Sequence, residues 1–198
     1  MSAGAERVVR VLGIGGSTRP SSSSERTLEI AAAAARDAGA EVELISGRRL
    51  MLPIYDTETE DRSEEARELL AALRRADAMI VSAPGYHGAL SGMIKNALDY
   101  IEDLRTDERV YLDRMAVGCI AVAFGWQATV STLQSLRMVV HALRGWPTPL
   151  GAAINSSQLA FADDGSLQDE AAAFQLRTVG EQVVEFARHH PPRLTEAI

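Results

Sequence analysis

The feature that most constrains this chain is that its apolar periodicity changes step five times. Short apolar runs of strand length give way each time to longer stretches in which apolar residues return every three or four positions. Such alternation predicts an α/β fold, a mostly parallel sheet with helices on both faces. Residues 8–13 read as strand 1, and the alanine-rich stretch 24–38, stopped by Gly39, as helix 1. Residues 41–45 alternate Val42 and Leu44 with glutamates, as a strand at or near a sheet edge does. A long loop carrying Leu52, Pro53, Ile54, Tyr55 and Asp56 follows. Ser63 is the expected N-cap of helix 2, where Glu64 and Glu65 suit the dipole and Ala66, Leu69, Leu70 and Leu73 form the apolar face. That helix ends near Ala76. Residues 78–83 read as strand 3, 84–91 as a loop, 93–104 as helix 3 and 115–123 as strand 4. Leu133, Leu136, Val140 and Leu143 set helix 4 over about 130–143, before Gly145 and Pro147. A short strand at 151–154, a turn at Asp163, Asp164 and Gly165, and a last helix over about 169–189 complete the set.

At about 150 residues per domain, 198 residues predict a single domain over 1–198, long enough to bury roughly 70% of the unfolded chain's surface. No repeat, low-complexity linker or composition break divides it. With 46% hydrophobic and 24% charged residues, the composition is neither that of a disordered chain nor that of a fibrous one. Its 27 acidic against 20 basic residues leave a net charge of −7, which offers nucleic acid and anionic membranes no general attraction. The apolar run 78–83 is far shorter than the roughly 20 residues of a membrane helix, and 1–10 lacks the apolar stretch of a signal peptide. The expected address is cytoplasmic, with neither membrane nor nucleic acid as a partner. Cys119 has no second thiol to pair with and sits in an apolar run, so it reads as inert core. His141, His189 and His190 lack partners at ligand spacing, and no metal site is expected.

Ligands of open parallel sheets bind beyond the carboxyl ends of the strands, which directs attention to the loops after strands 1, 3 and 4. The first runs from Gly15 through Gly16, Ser17, Thr18, Arg19, Pro20 and four serines to Glu25, Arg26 and Thr27 at a helix start. Glycine flexibility, hydroxyls, arginines and the positive end of a helix make a site of phosphate size. A serine-rich solvated turn that merely caps helix 1 has the same composition. A terminal phosphate fits better than a diphosphate, because Thr18 stands where G-x-G-x-x-G needs its third glycine and G-x-x-x-x-G-K-[ST] is absent.

The second loop, from Pro84 to Gly92, leads into Met93, Ile94, Lys95, Asn96, Ala97, Leu98, Asp99 and Tyr100. This string resembles the NADPH-dependent FMN reductase family, whose flavodoxin-like members carry P-x-Y-[NH]-x-x-x-x-G-x-[LI]-K-N-x-x-D-[WY] at this point. Pro84, Tyr86, His87, Gly92, Ile94, Lys95, Asn96, Asp99 and Tyr100 all match. Gly16, Ser17 and Arg19, with the loop of Leu52, Pro53, Tyr55 and Asp56, extend the resemblance over about 8–154. It implies a three-layer, flavodoxin-like fold with a five-stranded parallel sheet in the order 2-1-3-4-5 and helices on both faces. It also implies that FMN phosphate lies on Ser17, Arg19 and the stretch Ser24, Glu25, Arg26 and Thr27. The isoalloxazine then lies along Pro84, Gly85, Tyr86, His87 and Gly88, with Phe124 and Gly125 bordering it from the other side. Phe124 and Trp126 either stack on a ring or fill a subunit contact, two readings of equal standing. The chain departs from the family pattern at Gly85, where an acidic residue is common, at Ala89, where serine is frequent, and at Ser24 or Glu25, where asparagine often stands.

A loop of Pro, Gly, Tyr, His and Gly suits a flat ring that needs close backbone approach and a few donors. The resemblance implies transfer of hydride from NADPH, or NADH, to FMN with no catalytic side chain, since the cofactor carries that chemistry. Reduced FMN is then released to a partner such as a flavin-dependent monooxygenase, or passes electrons to a second acceptor, a quinone or azo compound. A flavodoxin-like electron carrier ranks lower, because such carriers are strongly acidic and short-looped; a non-catalytic sensor that keeps the fold is a third reading. Substrates are expected to be small molecules, and the assembly a homodimer or homotetramer with helices 3 and 4 at the interface. Lys95 reads as a salt-bridge or packing residue, and Arg48 and Arg49 as candidates to meet a 2′-phosphate.

Overall fold

Each change of periodicity corresponds to an element. The computed structural model describes residues 7–162 and 166–190. The expected turn at Asp163, Asp164 and Gly165 lies outside the described residues, as do residues 1–6 of the amino-terminal segment. Along the chain run β1 (Arg10–Gly15), α1 (Ser23–Asp37), β2 (Glu41–Ser46), α2 (Glu64–Arg75), β3 (Ala78–Tyr86), β4 (Ala89–Leu90) and α3 (Gly92–Asp99). A 3₁₀ turn, Tyr100–Leu104, prolongs α3, and β5 (Ala116–Ala123), α4 (Trp126–Ala142), β6 (Trp146–Pro147), β7 (Ala152–Asn155) and α5 (Glu170–His189) follow.

The sheet is ordered β2-β1-β3-β5, all parallel, and both β6 and β7 pair with the outer side of β5. The expected order 2-1-3-4-5 is therefore present, with the fifth strand in two pieces. Pro149, which has no N–H to donate to a ladder, lies in the gap between them. Side chains of β3 alternate between two cores. Met79, Val81 and Ala83 pack with α2, α3 and α4, whereas Ala78 and Ile80 pack with α1 and α5. The helices α1 and α5 approach so closely that a Cβ on Gly180 would collide with the Ala31 carbonyl. Among the described residues no helix is long and apolar enough to cross a membrane.

Two boundaries differ from the sequence reading. Residues 84–91 are not a loop, because β3 continues to Tyr86 and folds back on β4, with Gly85 opposite Leu90 and Tyr86 opposite Ala89. Pro84 and Gly85 disguise the strand. The ladder to β1 has already ended at Ser82, so the N–H that Pro84 lacks has no strand to donate to. Helix α4 begins at Trp126 rather than near residue 130, since its first turn, Trp126 to Thr129, precedes the Leu133, Leu136 and Val140 stripe from which the start is read.

Candidate active site

The carboxyl ends of β1, β3 and β5 lie side by side in the sheet, so the three loops singled out above leave it at one edge, although Phe124 and Gly125 do not line the cleft that the first two share. Ser17 and Thr18 share one cleft of about 110 Å³ with Pro84, Tyr86, Ser91, Gly92 and Met93. Ser17, Pro84 and Tyr86 are thereby brought together. A larger cleft of about 330 Å³ lies at the opposite, amino ends of β1 and β2. Its charges already pair with one another, Arg10 with Glu41 at 3.8 Å and Arg75 with Glu43 at 3.1 Å. It offers a ligand little, and the smaller cleft marks the site.

Gly16 turns the chain out of β1 at φ +88, where a Cβ would press on the Gly47 nitrogen at 3.1 Å. Ser22 caps α1 by accepting the Glu25 N–H at 3.3 Å, and its hydroxyl meets that of Ser24 at 3.2 Å. Ser17 Oγ accepts the Arg19 N–H at 3.3 Å. The N–H groups of Ser23 and Ser24, in the first turn, have no acceptor among the described residues. Arg19 is exposed and forms no ion pair among them. Unpartnered backbone donors, hydroxyls and an exposed guanidinium fit a phosphate monoester. Ser22 was outside the predicted set, although its S-x-x-E spacing to Glu25 is a helix-start signature.

The rest of the predicted stretch is engaged by the fold. Glu25 accepts the Ser21 N–H at 2.9 Å and the Ser46 hydroxyl at 3.0 Å, which ties the loop to β2 and holds Ser21 at φ 53. Thr27 is fully buried, and its hydroxyl meets the Ser24 carbonyl at 3.1 Å and the Ser82 hydroxyl at 3.0 Å. Arg26 places its guanidinium 3.5 Å from the centre of the Phe161 ring. These three side chains shape the loop.

His87 and Gly88 form the two-residue turn between β3 and β4, with φ values of 55 and 84, the signs required by a type I′ hairpin. Tyr86 and His87 stand exposed on this hairpin. Gly85 lies against Thr132 of α4, and any Cβ there would strike the Thr132 hydroxyl, so this chain has no room for the family's common acidic residue.

The K-N-x-x-D helix has a different task. Asn96 accepts the Tyr55 N–H at 2.8 Å and donates to the carbonyls of Leu52 and Pro53 at 3.3 and 2.8 Å. Tyr100 donates its hydroxyl to the Pro53 carbonyl at 3.0 Å and packs edge-to-face on Tyr55. The L-P-x-Y-D loop and this helix therefore form one clamp. Behind it Arg62 donates to Asp103 through Nε and Nη2 at 2.7 and 2.8 Å, and the Tyr55 hydroxyl adds a third contact at 3.0 Å. The Arg62 guanidinium holds the Asp103 carboxyl below its ordinary range against the opposing effect of burial. Burial, and then the hydrogen bond to Asp103, push the Tyr55 phenol up. Lys95 pairs with Asp99 one turn further on.

After β5 the chain passes through Phe124, 82% exposed, and Gly125, at φ +93, before Trp126 opens α4. Asn155, at the end of β7, accepts the Gly125 N–H at 2.9 Å. It too was outside the predicted set. Its signal in the sequence is the run of Asn155, Ser156 and Ser157, typical of an Asx turn. Cys119 is buried in β5, and desolvation pushes its thiol up to about 12. Arg49 is engaged with Glu68 and the Leu44 carbonyl, while Arg48 is exposed. Among the described residues no group of three or more His, Cys, Asp or Glu is arranged to hold a metal.

Fold and loops together define a doubly wound α/β protein of the flavodoxin type, with a donor-rich loop before α1 and an aromatic hairpin at the carboxyl edge of the sheet. Residues 9–159 match the NADPH-dependent FMN reductase family, and the chain belongs to it. An FMN-dependent NADPH-azoreductase of Staphylococcus haemolyticus is 34% identical over 118 residues, which is 59% of this chain and 59% of that protein. One from Staphylococcus aureus is 33% identical over 130 residues, 65% of each chain. The chain thus spans about six-tenths of the length of these curated relatives. Among solved structures, FerB of Paracoccus denitrificans, a flavoenzyme NAD(P)H:(acceptor) oxidoreductase, superposes with a TM-score of 0.72 at 21% identity, covering 92% of this chain and 99% of that one. At that identity the likeness establishes the fold.

Proposed function

We propose that this chain is an oxidoreductase that binds FMN and transfers electrons from NADPH, or NADH, to a small-molecule acceptor, of which azo compounds and quinones are the favoured class. The observation that carries the reading is the start of α1, where the Ser23 and Ser24 N–H groups have no acceptor among the described residues and the Ser22 and Ser24 hydroxyls meet, on a loop whose Ser17 and Thr18 share a cleft with Tyr86. In this reading Ser17, Arg19, Ser22 and Ser24 hold the phosphate of FMN, and the turn from Pro84 to Gly88 and the Phe124–Gly125 corner flank its ring. Bound FMN supplies the hydride acceptor and the store from which the second substrate is reduced. The protein's part is to seat a planar ring, exclude water and leave one face open to the nicotinamide. No side-chain acid or base is assigned. The azo acceptor is favoured because both relatives above are FMN-dependent NADPH-azoreductases.

Finer parts of the reading are a single FMN-binding domain over 1–198, a cytoplasmic address and a homodimer or homotetramer. A flavin-dependent monooxygenase as recipient of released FMN is the second use of the same chemistry. The test is a visible spectrum of the purified protein with and without FMN, followed by anaerobic titration with each nicotinamide and a panel of azo dyes and quinones. Flavin uptake and NADPH-driven bleaching are expected. A protein that neither takes up FMN nor oxidises either nicotinamide overturns the proposal.

A further inference from the structure

We infer that Asn155 is a positioning residue that sets the β5–α4 turn in place as one wall of the flavin site, an inference that rests on the FMN reading above. Among the five α-helices of the described residues α4 stands apart. The other four begin with a side-chain cap from Ser22, Ser63, Ser91 or Asp169, whereas α4 begins at Gly125, which has no side chain to cap with and sits at φ +93. Gly125 is held from outside the helix instead, through its N–H. Its N–H donates to Asn155 Oδ1 at 2.9 Å, and its carbonyl accepts the Thr129 N–H at 3.2 Å and the Thr129 hydroxyl at 2.8 Å.

Asn155 Oδ1 accepts two further donors, the Ser157 N–H at 3.1 Å and the Ser157 hydroxyl at 2.8 Å. Two backbone N–H groups converging on one atom require an oxygen there, which fixes the orientation of the amide. The Ser156 N–H donates to the Ala123 carbonyl at 2.9 Å, so the chain after β7 stays registered on β5 up to this corner. Asn155 is 6% exposed, and water competes little for its oxygen. One buried oxygen at the tip of β7 thus orders the turn that carries Phe124 and Gly125. A turn ordered in advance spares a ligand the cost of ordering it on binding.

The experiment compares FMN affinity and the visible band of bound FMN in the wild type, Asn155→Ala, Asn155→Asp and Thr129→Val, with folding of each checked by circular dichroism. Asn155→Ala removes the oxygen and is expected to weaken FMN binding roughly tenfold and to shift the band. Asn155→Asp keeps an acceptor at the same reach and is expected to restore affinity to within about threefold, which a loss of general stability would not explain. Thr129→Val keeps the side-chain volume, removes the hydroxyl bond to the Gly125 carbonyl while leaving the backbone N–H bond, and is expected to weaken binding about threefold, so the inference stays testable if Asn155→Ala does not fold. Wild-type protein that takes up no FMN overturns the flavin reading and this inference together. Wild type that binds FMN while folded Asn155→Ala or Thr129→Val binds it equally well overturns this inference alone, as does Asn155→Asp binding no better than Asn155→Ala.

Discussion

The clamp around Asn96 and the loop before α1 both come from motifs that mark the family, and both are dense in polar groups. They differ in where those groups are satisfied. In the clamp, the polar groups of Asn96, Tyr100, Tyr55, Arg62 and Asp103 meet one another or nearby backbone. In the loop, two backbone N–H groups have no acceptor among the described residues and Arg19 has no ion pair there. A recurring motif is therefore compatible with two kinds of work, holding the chain or holding a ligand, and hydrogen-bond satisfaction separates them.

The largest effect expected from that division is on stability. Asn96→Ala strands the Tyr55 N–H and the Leu52 carbonyl and leaves the Pro53 carbonyl only the Tyr100 hydroxyl, and at about 1 kcal/mol per bond lost the cost is about 3 kcal/mol in urea unfolding. FMN affinity of the folded variant should stay within about twofold. The reverse result, unchanged stability with lost flavin, would move the clamp into the binding site. Arg19→Ala should behave oppositely. It is expected to weaken FMN binding by about 1.5 to 3 kcal/mol, the range for hydrogen bonds to charged groups, with the urea midpoint unmoved. Equal FMN affinity in isothermal titration would remove the phosphate assignment from this loop.

How far the sequence was legible follows the same division. The alternating pattern predicted which segments are strands and which are helices because burial on both faces of β3 and β5 forces continuous apolar runs, whereas the strand order came only with the family resemblance. The caps at Ser63 and the end of α2 were readable for a similar reason, since they depend on residues three positions apart. The β3–β4 hairpin was hidden because Pro84 and Gly85 look like turn residues, and their acceptance in a strand depends on β1 having ended beside them. Thr27 looked like a ligand residue because its hydroxyl is visible in the sequence while its burial under β3 is not. Asn155 carried only the local signal of an Asx turn, and its link to Gly125 was invisible because that partner is thirty residues away. Long-range pairing is what a single sequence displays least.

The smallest expected effect tests the clamp from its outer side. The side chains of Arg62 and Asp103 are 12% and 19% exposed, between the surface pairs that contribute little and the buried pairs whose rupture is severe. Arg62→Leu is therefore expected to cost about 1.5 kcal/mol at neutral pH. The pH dependence gives the sign. In the wild type Arg62 lowers the Asp103 carboxyl below its unfolded value, so the stability this provides is fully present above the ordinary carboxylate range and is lost as pH falls through the lowered native value. In Arg62→Leu that lowering is gone and burial is opposed only by the Tyr55 hydroxyl and the charge of Arg74, so the carboxyl titrates at higher pH than in the wild type. Urea unfolding of both proteins across an acid series should show curves separated near neutrality that converge once Asp103 is protonated in each. A separation that stayed constant down to the acid limit would mean that Arg62 acts through its packing over the Tyr55 ring, 4.7 Å away, and that the clamp is held by contact rather than by charge.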